Sequence, residues 1–270
     1  MEDYTPQQSD NEKNKKRSIV KKTIYLTIVI IAVILLILSG ITLVKRWLSG
    51  RETFEHYKNE PAPNVSTTET PTNPINFEGA QLDNENICGW IQIPGIDTID
   101  YPILRSSAKM DDSYYLNHDA YDRQSFAGSI YIQKVNHKDF GDPNTVIYGH
   151  DMLNGTMFGQ LKKFRDKEFF DKTREIYIYT PGHILKYEII SAFVYDNRHI
   201  MNAFDFSDPE VLADYQEYVL NPVSTLRNVR KGVTLDENSK LVVLSTCMSN
   251  DKSSRFLVNG VLVSDVPIEQ

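Results

Sequence analysis

The chain has 270 residues, 41% of them hydrophobic and 24% charged, with 36 acidic against 29 basic side chains and a net charge of −7. Eight of the basic and four of the acidic residues precede position 51, which leaves 21 against 32 and a net charge of −11 for the remainder. That balance offers no basic footprint for nucleic acid and disfavours adhesion to an anionic lipid surface, so no nucleic-acid partner is expected.

The first element is apolar. From Thr23 to Val44 no charged residue occurs, and Ile28 to Leu38 is almost unbroken branched aliphatic. About 20 such residues cross a bilayer core. The run exceeds the apolar stretch of a signal peptide and lacks a small-residue cleavage site behind it, so it reads as a retained anchor. Lys13, Lys15, Lys16, Arg17, Lys21 and Lys22 precede it, whereas Lys45, Arg46 and Arg51 follow, soon joined by Glu52 and Glu55. The bias predicts a cytoplasmic tail over 1–22, a transmembrane segment over 23–44 and everything beyond outside the cell membrane. Residues 45–76 are expected to be a tether, because Pro61, Pro63, Thr67, Thr68, Thr70, Pro71, Thr72 and Pro74 leave almost no large apolar side chain there. One folded domain is predicted over 77–270.

Within that domain the apolar runs are short. Gly89–Ile93 and Asp100–Leu104 flank Pro94-Gly95, and Gly128–Gln133 and Thr145–Gly149 flank a polar loop. Glu175–Tyr179, a Pro181-Gly182 turn and Leu185–Val194 form the clearest hairpin, and Lys240–Ser245 and Arg255–Ser264 complete eight candidates. The connections are too short for regular crossover helices, so the fold class is mainly β, a closed or nearly closed antiparallel-rich barrel. Two helices interrupt it. Met157, Leu161 and Phe164 have helical spacing. Between the sixth and seventh strands, Asp208 can cap, Pro209 suits the first helical position, Val211, Leu212, Tyr215, Tyr218 and Val219 form a stripe, and Asn221-Pro222 ends it.

Three strand ends carry chemistry. Leu241–Thr246 delivers Cys247, Arg255 follows eight positions later, and Thr145–Gly149 delivers His150. A thiolate needs a base or a positive environment to exist at neutral pH, and His150 and Arg255 supply both. The other cysteine, Cys88, is read as a structural thiol near Trp90, although in an exported chain a Cys88–Cys247 disulfide is the competing expectation. The remaining histidines lack ligand-like spacing, so no metal and no cofactor are expected.

The segments Gly89-Trp90-Ile91 with Tyr101-Pro102, Val146-Ile147-Tyr148-Gly149-His150, Asn154-Gly155-Thr156-Met157-Phe158 and Leu244-Ser245-Thr246-Cys247 with Arg255 occur in one order across about Ile87 to Val263. In this the chain resembles the sortases, membrane-anchored cysteine transpeptidases of Gram-positive surfaces. The helix after Pro209 and the segment after His150 resemble class B sortases. Val243 and Asp151 depart from the usual pattern without removing a catalytic atom. The resemblance implies an eight-stranded sortase-type β-barrel with an N-terminal helix and the inserted helix. It implies His150, Cys247 and Arg255 as the catalytic residues, with Ser245 and Thr246 as substrate-binding donors. It implies, further, secreted proteins bearing a C-terminal sorting signal of Asn-Pro-x-Thr type as substrates and a peptidoglycan precursor amine as acceptor. Hydrolysis alone, or a non-enzymatic surface scaffold, are the competing readings.

Overall fold

A computed structural model of the chain describes residues 6–58, 73–248 and 251–268. It divides into two units between Arg46 and Trp47. Helix α1 (Pro6–Lys58) contains the apolar stretch Ile19–Lys45, 27 residues with exposed side chains, within which 18 consecutive residues reach a mean hydropathy of 3.0. Among the described residues it is the one helix long and apolar enough to cross a membrane. The threonine hydroxyls of that stretch are satisfied internally: those of Thr23, Thr27 and Thr42 donate to the carbonyls of Ile19, Thr23 and Ser39 at 3.0, 2.9 and 2.7 Å. The helix continues to Lys58, so the first part of the expected tether is helical, and positions 59–72 lie outside the described residues.

In the second unit, α2 (Phe77–Asp83) starts where the Asn76 side chain accepts a hydrogen bond from the Gly79 N–H. Nine strands follow among the described residues: β1 (Ile87–Gln92), β2 (Asp100–Arg105), β3 (Ile130–Ile132), β4 (Asn144–Tyr148), β5 (Glu175–Tyr179), β6 (His183–Asp196), β7 (Arg227–Val229), β8 (Leu241–Met248) and β9 (Asp251–Pro267). They are ordered β5-β1-β2-β3-β4-β8-β9-β6-β7, and a further β5–β6 pairing closes eight of them into a barrel. The ninth, β7, is three residues long and attached to β6 alone. Pairing is antiparallel except for β2–β3 and β4–β8, which are parallel.

The strand β8 is apolar without alternation because both of its faces are covered. Val242 and Leu244 join Ile91, Ile103, Ile147 and Val258 in the barrel interior. Leu241 and Val243 point the other way, with Val146, Phe193 and Leu257, into a second cluster beneath α5 (Pro209–Leu220). Leu212, Tyr215 and Val219 supply the α5 side of that layer. Its start is as read: the Asp208 carboxylate accepts from the Glu210 N–H at 2.9 Å and Pro209 occupies the first turn.

The segment after His150 differs from expectation. Met157 has φ of 53° and sits in a bridge with Asp151, so no helix begins there. A 3-10 turn spans Leu161–Arg165 and α3 covers Lys167–Lys172, with α4 (Ile200–Ala203) following β6. Met157, Leu161 and Phe164 are all fully buried, which helical spacing imitates when a loop folds back on a core. The loop braces the histidine: the Phe158 N–H donates to the His150 carbonyl at 3.0 Å, and the Met157 N–H to the Tyr101 hydroxyl at 2.9 Å.

Candidate active site

Backbone register determines which side chains meet. In the parallel β4–β8 ladder Tyr148 lies beside Ser245. The pairing continues one residue further, with the Gly149 N–H donating to the Ser245 carbonyl at 3.2 Å and the Thr246 hydroxyl donating to the Gly149 carbonyl at 2.8 Å. One more step along each strand reaches His150 and Cys247. On the other side, Cys247 pairs directly with Arg255 across β8–β9, and Arg255 with Tyr195 across β6–β9. Side chains two apart share a face. Cys247, Ser245 and Val243 therefore lie on the wall that α5 covers further along. Where that cover stops, an open cavity of about 280 Å³ begins, with His150, Cys247, Arg255, Tyr148, Tyr195 and His199 among its lining residues.

His150 is half-buried, and its Nε2 lies 2.7 Å from the Leu116 carbonyl oxygen. A carbonyl only accepts, so Nε2 carries the hydrogen and Nδ1 is the basic nitrogen of the neutral ring. Burial pushes the imidazole below its ordinary pKa, and the bond to Leu116 opposes that shift only in part. The neighbouring Asp151 lies 4.0 Å from Lys162 Nζ. Arg255 is half-buried, with Nη1 donating to the Ser254 carbonyl at 3.1 Å.

The two cysteines are free and differ in kind: Cys247 is exposed and Cys88 is buried. The Cys88 Sγ–H points at the Ile103 carbonyl 3.4 Å away, and burial pushes its thiol up to about 12. Cys88 is thus an inert core thiol, and the competing disulfide expectation is overturned. Ser245 and Thr246 also border the cavity, both buried, with the Thr246 hydroxyl committed to Gly149.

Reading the sequence alone missed the far wall. Leu116 comes from the long loop before β3, and Asn197, Arg198 and His199 from the turn after β6. His199 has no ligand-like spacing in the sequence, and its Nε2 lies 3.5 Å from the Tyr148 hydroxyl. Only Tyr195 carried a usable signal, since alternation along β6 aligns it with Phe193 on the α5 face.

The closed eight-strand barrel thus sets a thiol, an imidazole and a guanidinium level on three adjacent strands. Residues 91–263 match the model of the sortase domain. The chain is 32% identical to Sortase B of Listeria monocytogenes over 242 residues, covering 85% of this chain and 95% of that protein. It is 25% identical to Sortase B of Staphylococcus aureus over 227 residues, covering 83% and 89%. The crystal structure of sortase B from Bacillus anthracis superposes with a TM-score of 0.67 at 28% identity, covering 81% of this chain and 98% of that one. The chain belongs to the sortase family and is most like its class B members.

Proposed function

We propose that the protein is a membrane-anchored transpeptidase that cleaves a sorting signal at a Thr-X bond and joins the new carboxyl end to a peptidoglycan precursor amine. The observation that supports this most directly is the common level of His150, Cys247 and Arg255 beside one open cavity. Cys247 Sγ attacks the threonyl carbonyl while His150 Nδ1 takes the thiol proton. The tetrahedral adduct collapses, the C–N bond breaks, and His150 hands that proton to the departing amine. A thioester remains. An incoming amine then adds to it and gives a proton to His150, the C–S bond breaks, and the thiol is restored. Dividing one amide exchange into two acyl transfers is the use of the covalent intermediate. Arg255 stabilises the oxyanion or holds the peptide backbone, with the Ser245 hydroxyl and backbone N–H groups around Thr246 and Cys247 as further donors, while the Thr246 hydroxyl stays donated to Gly149.

In this reading residues 1–22 are cytoplasmic, 23–44 span the membrane, 45–76 form a tether and 77–270 are the extracellular catalytic domain. Secreted proteins with a C-terminal sorting signal are the donors. The test is to incubate the full chain with Asn-Pro-x-Thr peptides, with and without an added amine, and weigh the products. A thioester on the wild type, its absence in Cys247→Ala, and an amide product when amine is present are expected. Cleavage retained in Cys247→Ala would defeat the assignment, and hydrolysis unaffected by amine would make the protein a peptidase.

A further inference from the structure

The loop between β2 and β3 adds no residue to the catalytic row, yet it meets His150 twice. The Leu116 carbonyl takes the Nε2–H at 2.7 Å. The Phe126 ring lies over the imidazole, centroids 6.0 Å apart and planes inclined by 18°, an offset stack. Both contacts belong to one internally braced piece. Within it the Ser125 N–H donates to the Asn117 carbonyl and the Ser129 N–H to the Tyr115 carbonyl, each at 2.9 Å, and His118 bridges to Gln124. Gly128 has φ of 59°, and a methyl group there would stand 2.4 Å from the Leu116 oxygen, so the close approach that aims this carbonyl needs a glycine. Phe126 remains 46% exposed, a large apolar ring at the surface whose neighbours include the His150 imidazole.

We propose that Phe126 is a positioning residue for His150, its ring shutting one face of the imidazole from water while the Leu116 carbonyl sets the ring's orientation and leaves Nδ1 for proton exchange. This rests on the reading of His150 as acid and base of the transfer. Removing the phenyl group hydrates the imidazole and so favours its cation. The titratable and charged groups that line the cavity with the ring are Tyr148 on its own segment, Cys247 and Arg255 on β8 and β9, Tyr131 on β3, and Arg198 and His199 after β6; Asp151 follows it in the chain and His118 belongs to the covering loop. All remain in a Phe126 variant, so a change reports the covering ring.

The experiment follows the His150 imidazole by NMR in the full chain in detergent, beside the pH profile of thioester formation, for wild type, Phe126→Ala and Phe126→Tyr. In Phe126→Ala the titration midpoint should rise by about 0.5 unit or more, the acid limb of the profile should move with it, and kcat should fall by roughly 5-fold or more with KM little changed. Phe126→Tyr, which keeps a flat ring, should restore both. An unmoved midpoint and profile in Phe126→Ala, or a rise in KM alone, would overturn the proposal and make Phe126 a peptide contact. A midpoint that moves while turnover stays constant would instead refute the acid and base role of His150, and the positioning role with it.

Discussion

Cys247 and Arg255 stand directly opposite one another in the antiparallel β8–β9 ladder, the last pair before its register shifts at Met248. Directly paired Cβ atoms lie about 4.5–5.5 Å apart, so a guanidinium there reaches over the thiol without backbone movement. Arg255→Lys keeps the charge and loses the planar fork. Thioester formation should fall by about 100-fold or more in single-turnover assays, as when one oxyanion donor is lost. Near-normal turnover would reduce Arg255 to a bystander.

Gly149 joins β4 to His150, and a methyl group there would come within 2.5 Å of Ile130 Cδ1 and 2.7 Å of Phe158 Cδ2. Gly149→Ala should cost roughly 1–3 kcal/mol in urea denaturation through overpacking. It should also slow thioester formation in samples that remain folded, because the displaced backbone carries the imidazole. Unchanged stability and rate together would show that Ile130 and Phe158 yield freely.

The two thiols should label in sequence. An alkylating reagent near neutral pH attacks the thiolate, and the Cys88 thiol, raised to about 12 by burial, offers almost none. One label per native chain, mapping to Cys247, and two after denaturation are the expected masses. Rapid native labelling at Cys88 would contradict its burial.

Stability should depend on pH through His150. Its folded pKa lies below the ordinary 6.5, so between those values the unfolded chain binds more protons than the folded one. Stability therefore falls as pH drops through about 6.5, until the folded ring also protonates. The wild type should lose more stability than His150→Gln between about pH 7.5 and pH 5. Parallel curves for the two would rule out a buried neutral imidazole.

The barrel and the α5 helix were readable because their signals are local. A capping Asp208 with Pro209 behind it, and the Pro181-Gly182 turn between β-rich runs, act within a few residues. Cys247 and His150 were readable as strand ends. What escaped is set by distant contacts. Arg227–Val229 is too short and polar to look like a strand and exists because β6 offers a pairing edge. Met157 mimicked a helical position because burial, not periodicity, selects its apolar side chain. Leu116 acts through its carbonyl, which no side-chain pattern reveals.

The parallel partnership of β4 with β8 joins residues almost a hundred positions apart, Tyr148 beside Ser245. During synthesis the first seven strands therefore emerge with β4 lacking its second neighbour, an open seam that invites pairing with another molecule. A nascent chain cut short before Leu241 holds His150 and the core thiol of Cys88 but lacks Cys247, Arg255 and the strand that hides that seam. The row of imidazole, thiol and guanidinium is thus complete only once the final two strands have been made.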